Sequence, residues 1–259
     1  MINLNDPIPP NPYEDLYTIA SNSCLVITGD RNASTRNDFT RAFDPEAKAF
    51  MKLYNIPSDR RLKVNLGNAG FESPKRRKEV LDFITSHSMV SSSVQNKVSH
   101  LQTLAFFCHG LNLKLEVGFG KKHIPELVQA ILRVQPAKNL LVLLYCCSTG
   151  DDGDKDTNDN GDGSFADALR DELCKNGLVN CRVVAHTVSG HATYNPMKRF
   201  FDGLGSPVGG MGGQMIVSSV SNKSLFAKWR IALKDNKSLF RFRCVTMSIA
   251  EIHKTLISV

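Results

Sequence analysis

Two apolar segments of the chain each end in a side chain that is suited to covalent chemistry. The segment 104–108 is followed by His109 and Gly110, and the segment 140–146 is followed by Cys147. A thiolate is a strong nucleophile, and an imidazole within hydrogen-bond reach of the thiol serves as its base. The two residues therefore predict nucleophilic catalysis by a thiol, provided that the fold brings the two segment ends together.

A parallel sheet would supply that arrangement. Continuous apolar runs of this length are typical of strands that are buried on both faces of such a sheet. A helix predicted over 121–134 would connect the two strands by a right-handed crossover, with the strands about 5 Å apart. Functional side chains gather beyond the carboxyl ends of strands in such sheets. Because neighbours along a strand point to opposite sides, only one of Cys146 and Cys147 is expected to face His109.

The two motifs resemble those of the caspase-like cysteine peptidases (clan CD), and most closely those of the bacterial CHAT-type branch. In that family one hydrophobic block ends in His-Gly, and a second ends in a small residue followed by the nucleophilic cysteine. The stretch Cys146-Cys147-Ser148-Thr149-Gly150 is similar to the Ala-Cys-x-Thr-Gly ending, with Cys146 in the place of alanine. The resemblance implies that His109 is the base, that Cys147 is the nucleophile, and that the backbone N–H groups of Gly110 and Cys147 form the oxyanion hole.

The resemblance also implies an architecture and an activity. The expected fold is α/β, a caspase-like three-layer α/β/α sandwich with a mostly parallel central sheet. Residues 1–21 would be an N-terminal extension, and residues 22–259 the peptidase domain. The expected function is a cysteine endopeptidase that acts on a protein or peptide through an acyl-enzyme, as an effector or defence protease of bacteria. This chemistry requires no cofactor.

Two alternatives remain open at this point. One is a non-catalytic caspase-like module that binds a partner protein. The other is a zinc site formed by Cys108, His109, Cys146 and Cys147. Alternation along the strands works against the zinc site, because four adjacent side chains of two strands do not converge on one tetrahedral ion.

Three charged residues are candidates for substrate recognition. Asp151 and Asp152 follow the proposed nucleophile and would suit a basic P1 side chain, whereas Arg31 follows the first predicted strand and would suit an acidic one. We favour a basic P1 residue over an acidic one. The competing interpretation is that all three are solvated loop charges.

The segment 151–163 consists almost entirely of Asp, Asn and Gly. These residue types favour a flexible surface loop, which is the preferred interpretation. The spacing also fits an EF-hand-like calcium loop with Gly161 at its sixth position, and an aspartate replaces the usual glutamate at its twelfth. The possible calcium ligands are Asp156, Asn158, Asn160, Asp162, Ser164 and Asp167.

Composition and charge indicate which location and which classes of partner are expected for the chain. The 259 residues contain seven cysteines, which is an odd number, and these cysteines lie within predicted strands and helices. A disulfide framework is therefore not expected. The start of the chain lacks the apolar core of a signal peptide, and no stretch approaches the length of a membrane span. The net charge of +7 is scattered apart from a cluster at 75–78, and no nucleic-acid reader motif is present. We therefore expect a cytoplasmic protein that binds neither nucleic acid nor membrane, and its oligomeric state is left open.

Other elements complete the expected α/β alternation. Further strands are predicted over 23–28, 62–66, 181–187, 215–220 and 240–246. Further helices are predicted over 45–54, 73–87, 164–175 and 249–257. The segment 29–44 is predicted to be a loop, 113–119 an edge strand or hairpin, and 186–196 a wall of the substrate cleft.

Overall fold

The computed structural model describes residues 19–30, 43–67, 70–87, 100–111, 113–151, 163–186, 198–202 and 214–215. The helices are α1 (Phe43–Leu53), α2 (Pro74–Ser86), α3 (Ile124–Arg133) and α4 (Phe165–Lys175). The strands are β1 (Cys24–Asp30), β2 (Arg61–Asn65), β3 (Thr103–Phe107), β4 (Gly110–Leu111), β5 (Lys114–Leu115), β6 (Phe119–Gly120), β7 (Leu141–Tyr145), β8 (Arg182–His186), β9 (Lys198–Asp202) and β10 (Gln214–Met215). Among these described residues, no helix has both the length and the apolar character that crossing a bilayer requires.

The central sheet is mixed but mostly parallel. Its strand order is β10-β9-β8-β7-β3-β1-β2, and the five strands from β8 to β2 run parallel to one another. The strands β9 and β10 add to the β8 side in antiparallel orientation. Every residue of β3 and of β7 is buried, as continuous apolar runs predict for strands that are covered on both faces.

Helices cover both faces of this sheet. On one face, α1 packs its Phe43, Ala47 and Phe50 against Ala105 and Phe107 of β3. On the other face, α2, α3 and α4 pack over the residues of opposite parity, such as those at 104 and 106. The two hydrophobic clusters are separated by the sheet, because alternation sends neighbouring side chains of each strand to opposite sides. The described part of the chain is thus a layered α/β structure.

Serine residues cap the starts of two helices. Ser73 accepts a hydrogen bond from the backbone N–H of Arg76 and precedes Pro74 at the start of α2. Ser164 accepts one from the backbone N–H of Asp167 at the start of α4. A serine that accepts from the third residue of a helix satisfies one of its unpaired N–H groups. A 3-10 turn, Lys121–His123, leads into α3.

The structure corrects several predicted boundaries. The predicted loop 29–44 is wrong at both ends, because β1 continues to Asp30 and α1 begins at Phe43, whose side chain is buried. Residues 31–42 lie outside the described residues. The predicted edge strand or hairpin over 113–119 is confirmed, because β5 and β6 pair as an antiparallel hairpin, with β4 as the third strand of a small sheet. Strand β9 was not predicted. Strand β10 includes position 215, where the predicted strand 215–220 begins, and the rest of that predicted strand lies outside the described residues. The predicted elements at 240–246 and 249–257 lie outside the described residues.

Candidate active site at the ends of strands β3 and β7

The register of β3 and β7 places His109 and Cys147 at equivalent positions. Phe107 pairs with Tyr145, and their rings stack with centroids 4.6 Å apart and planes 22° from parallel. His109 and Cys147 each come two residues later, so alternation assigns them to the same face as these two rings. Both residues are half-buried, so the site is accessible from outside. Two adjacent parallel strands thus bring an imidazole and a thiol to one edge of the sheet.

Gly110 lets the two strand ends approach closely. A Cβ atom at this position would lie 2.4 Å from the carbonyl oxygen of Cys147 and 2.7 Å from Cγ2 of Thr149. Both distances are far inside van der Waals contact, and the first is to a backbone atom that has little room to move. Only glycine fits here, and its backbone therefore lies directly against that of Cys147.

The imidazole of His109 packs against the beginning of α1. The rings of His109 and Phe43 meet edge to face, with centroids 4.8 Å apart and planes at 80°. The carbonyl of His109 accepts a hydrogen bond of 3.0 Å from the N–H of Glu116, which directly follows β5. An edge-to-face aromatic contact restricts the orientation of a ring, so α1 contributes to the positioning of the imidazole.

The neighbouring thiol, Cys146, lies on the opposite face. Its side chain is fully buried, its Sγ is 3.5 Å from the Sγ of Cys108, and it donates to the carbonyl of Phe106 at 3.6 Å. Burial raises the pKa of the Cys146 thiol well above its ordinary value, and the nearby Cys108 adds to the effect. A protonated, enclosed thiol is a poor nucleophile. Of the two vicinal thiols, Cys147 is the one suited to attack.

The alternation of side chains between the two faces of the sheet also separates the four residues that the zinc alternative would use as ligands. Cys108 and Cys146 belong to the cluster under α2, α3 and α4, whereas His109 contacts α1. Within the described ranges, no three or more His, Cys, Asp or Glu side chains are grouped so as to hold a metal ion. The four residues therefore do not converge on one centre.

A tight turn follows Cys147. Ser148 has a φ of +56°, a left-handed conformation that costs a non-glycine residue about 1 kcal/mol or more and that often occurs at functional sites. The hydroxyl of Thr149 donates to the carbonyl of Cys146 at 3.0 Å. The carbonyl of Thr149 accepts at 3.0 Å from the N–H of Ala166 in α4. These bonds fix the turn at the base of the thiol.

The sequence did not single out two buried ionisable residues of this region as individual site residues. Glu46 of α1 is 1% exposed and lies among the residues of α1 that face the sheet. Its position three residues after Phe43 is the sequence signal for that face. His186, which begins the predicted cleft wall, is also buried, and its ring lies 6.0 Å from that of Tyr145.

Of the predicted substrate-binding residues, the structure describes one. Asp151 is half-buried at the end of the turn after Cys147, and its N–H donates to the carbonyl of Ser148 at 3.3 Å. Asp152 and Arg31 lie outside the described residues, so their prediction as specificity residues remains a prediction.

The described end of the predicted calcium loop forms the start of α4. Asp156, Asn158, Asn160 and Asp162 lie outside the described residues. Ser164 serves as the helix cap, and the carboxylate of Asp167 accepts from the N–H of Gly163 at 2.9 Å. Its other oxygen accepts from the Nη2 of Arg170 at 2.5 Å, inside the protein. Calcium would therefore compete for Asp167 with a buried guanidinium.

Replacing Asp167 by Asn is expected to destabilise the protein by roughly 3 kcal/mol, because the buried guanidinium of Arg170 would lose the charge of a buried ion-pair partner. Arg170 keeps its 2.7 Å contact with Asp171, which limits the loss. Urea unfolding of the variant measures the effect. The matched control is Asp82→Asn, which breaks an exposed pair with Lys78 and is expected to cost less than about 1 kcal/mol. A thermal midpoint that rises with calcium and no longer does so in Asp156→Asn would instead support the calcium loop.

A groove of about 640 Å³ between α2 and α3 lies away from this edge, and its lining includes Arg77, Leu81 and Glu126. None of its lining residues belongs to the ends of β3 and β7. The chemistry of the candidate site therefore does not depend on it.

Comparison with known proteins gives no match. No protein-family model, no curated protein and no solved structure is significantly similar to this chain.

Proposed function

We propose that the chain is a caspase-like cysteine endopeptidase in which Cys147 is the nucleophile and His109 the general base. The observation that carries the proposal is the arrangement of the two strand ends. His109 and Cys147 occupy equivalent positions beyond the paired Phe107 and Tyr145, and Gly110 lies against the backbone of Cys147. A thiol and its base require neighbouring positions, and this arrangement supports the proposal.

The reaction follows from the chemistry of these groups. His109 takes the proton of Cys147, and the thiolate attacks a peptide carbonyl. The N–H groups of Gly110 and Cys147 stabilise the oxyanion, each contributing about 3 kcal/mol. His109 then gives its proton to the leaving amine, which departs and leaves an acyl-enzyme. Water that is deprotonated by His109 hydrolyses the thioester and restores the free thiol.

The layered architecture is compatible with the proposed family. Parallel strands carry the His and Cys motifs in neighbouring positions, and helices cover both faces of the sheet. Active groups at the carboxyl ends of parallel strands are the general rule for such folds. Fold alone does not define a function, so the proposal depends on the site.

The proposed substrate is a polypeptide with a basic P1 residue. Asp151 follows the nucleophile within one turn, and an acidic side chain near the scissile bond favours Lys or Arg at P1. Asp152 is the second acidic residue that is proposed to bind a basic P1 side chain. Arg31 is the residue that would instead favour an acidic P1 residue.

A panel of fluorogenic peptides tests this function. The peptides carry Arg, Lys, Asp or Leu at P1, and they are assayed with and without calcium. We expect cleavage after Arg and Lys at a rate at least about tenfold above that after Asp, because a charged pocket discriminates by more than 1 kcal/mol. Mass spectrometry identifies the bond that is cleaved.

An electrophilic thiol probe provides the second readout. Labelling confined to Cys147 together with peptide cleavage would support the endopeptidase. Cleavage of no peptide and no labelling of Cys147 would contradict it and favour the non-catalytic partner-binding module. Preference for Asp at P1 would keep the mechanism and reverse the specificity.

A further inference from the structure

One residue of the basic cluster at 75–78 is buried inside the protein. The side chain of Arg76 on α2 is 4% exposed, whereas Lys75 and Lys78 of the same cluster are exposed to solvent. Removing a guanidinium from water costs free energy unless polar partners inside the protein replace the water. The burial of Arg76 therefore indicates a task that the two exposed lysines do not share.

Arg76 connects α2 to the small sheet of β4, β5 and β6. Its Nη1 donates to the carbonyl of Glu116 at 2.9 Å and to the carbonyl of Gly70 at 3.2 Å. The turn after β5 also lies directly on this helix, because a Cβ atom at Gly118 would be 2.6 Å from the backbone nitrogen of Arg77. The residue that follows β5 is thus attached to α2 through Arg76.

Glu116 links this contact to the candidate active site. Its backbone N–H donates to the carbonyl of His109 at 3.0 Å, while its own carbonyl accepts from Arg76. Glu116 is 1% exposed, so water does not compete for these two hydrogen bonds. Hydrogen bonds are stronger in such an environment of low dielectric constant. The backbone of Glu116 is therefore held firmly between Arg76 and His109.

The carbonyl of His109 and the N–H of Gly110 belong to one peptide unit. The atoms of a peptide unit lie in one plane, so a hydrogen bond that fixes its oxygen also fixes the direction of its N–H. That N–H is one of the two proposed donors of the oxyanion hole, and Gly110 lies against the backbone of Cys147. We propose that Arg76 is a positioning residue that orients the oxyanion hole through the backbone of Glu116. The inference rests on the proposed function and gives α2 a part in it.

The direction of an oxyanion donor matters more in the transition state than in the bound substrate. The donor stabilises the developing charge only if its N–H is aimed at the place that the oxyanion will occupy. Loss of Arg76 would leave the N–H of Gly110 present but less well oriented. We therefore expect kcat to fall by at least about tenfold in Arg76→Met, while KM stays nearly unchanged.

Two reagents distinguish the oxyanion hole from the thiol in the full chain. A peptide aldehyde with the best P1 residue of the panel forms an S–C bond with Cys147, and its oxygen then takes the place of the oxyanion. Iodoacetamide also forms an S–C bond with Cys147, but it releases iodide and develops no oxyanion. In Arg76→Met we expect the aldehyde to bind at least about tenfold more weakly and alkylation to slow by no more than about twofold.

Arg77→Met is the matched control. Arg77 is the next residue of the helix, and it donates to the carbonyl of Gly118 at 3.2 Å and pairs with Glu126. Because its carbonyl partner is not Glu116, we expect this variant to keep the wild-type ratio of aldehyde affinity to alkylation rate.

A second variant of Arg76 retains the charge. Arg76→Lys keeps a buried cation with N–H donors on a shorter side chain, so we expect it to weaken aldehyde binding only about threefold. Circular dichroism and thermal unfolding identify the variants that are folded, and only those are compared.

The inference is overturned if every folded variant of Arg76 keeps the wild-type ratio, or if Arg77→Met lowers the ratio by the same factor. It is also overturned if alkylation slows as much as the aldehyde affinity falls, because the thiol would then be affected and not the oxyanion hole. In all of these cases wild-type cleavage of a peptide would leave the endopeptidase intact. A wild-type protein that neither cleaves a peptide nor binds an aldehyde would contradict the endopeptidase itself, and with it the oxyanion hole that Arg76 is proposed to orient.

Discussion

Replacing Cys147 by Ala is expected to lower the rate of peptide cleavage at least about a thousandfold, because removing a nucleophile abolishes the covalent route. The fold should tolerate the change, since the side chain is half-buried and lies beyond the end of β7. Initial rates with the best peptide of the panel, and active-site titration, measure the loss.

The matched control is the adjacent residue. Cys146→Ala removes a thiol of the same size from the opposite face, where burial keeps its pKa high. We expect this variant to retain its rate within a factor of a few and to lose about 1 kcal/mol of stability to the small cavity. The reverse outcome, with activity lost in folded Cys146→Ala and kept in Cys147→Ala, would show that the nucleophile has been assigned to the wrong thiol.

Replacing Gly110 by Ala is expected to lower activity at least about a hundredfold while Cys147 itself remains present. The new methyl group would lie 2.4 Å from the carbonyl oxygen of Cys147 and 2.7 Å from the side chain of Thr149. The two strand ends would have to separate, and a misplacement of about 1 Å costs about this factor in rate. Overpacking also lowers stability by about 2 kcal/mol.

Gly70→Ala is the control for this change, because a Cβ atom there meets no other atom within 4 Å. Its activity and urea midpoint should match those of the wild type. The readout is kcat/KM together with the rate of Cys147 alkylation in both variants. A Gly110→Ala protein with normal values for both would show that the close approach of the two backbones is not required.

The core strands of the sheet were predictable because their signal is local. The runs ending at Cys108 and Cys146 are continuously apolar, and that pattern alone indicates strands buried on both faces. Helix α2 was equally clear, since Ser73 and Pro74 are typical of a helix start. Helix α1 begins at Phe43, before the predicted start at Pro45, because proline is tolerated anywhere in the first turn.

Strand β9 was missed for a physical reason. Lys198–Asp202 places two phenylalanines between charged residues, a pattern too short to show a period. Its partner β8 contributes antiparallel hydrogen bonds, which no property of the segment itself reveals. Long-range pairing thus decided the structure of this segment.

The candidate site also has features that can be predicted from the sequence and features that depend on long-range pairing. His109 and Cys147 could be selected from their own segments, because each follows an apolar run at its end. That the two lie side by side depends on the register of β3 against β7, which is a property of two distant segments. The close approach at Gly110 is likewise invisible until both strands are in place.

The edge of the central sheet that is formed by β2 has a consequence for self-association. Within the described sheet β2 is the last strand, and it alternates Arg61, Lys63 and Asn65 with apolar residues. Charged side chains, lysine above all, oppose the addition of a further strand to an open edge. Both cations are also held by Asp44, so they remain at the edge. The parallel sheet is therefore protected against edge-to-edge aggregation on the side where β2 lies.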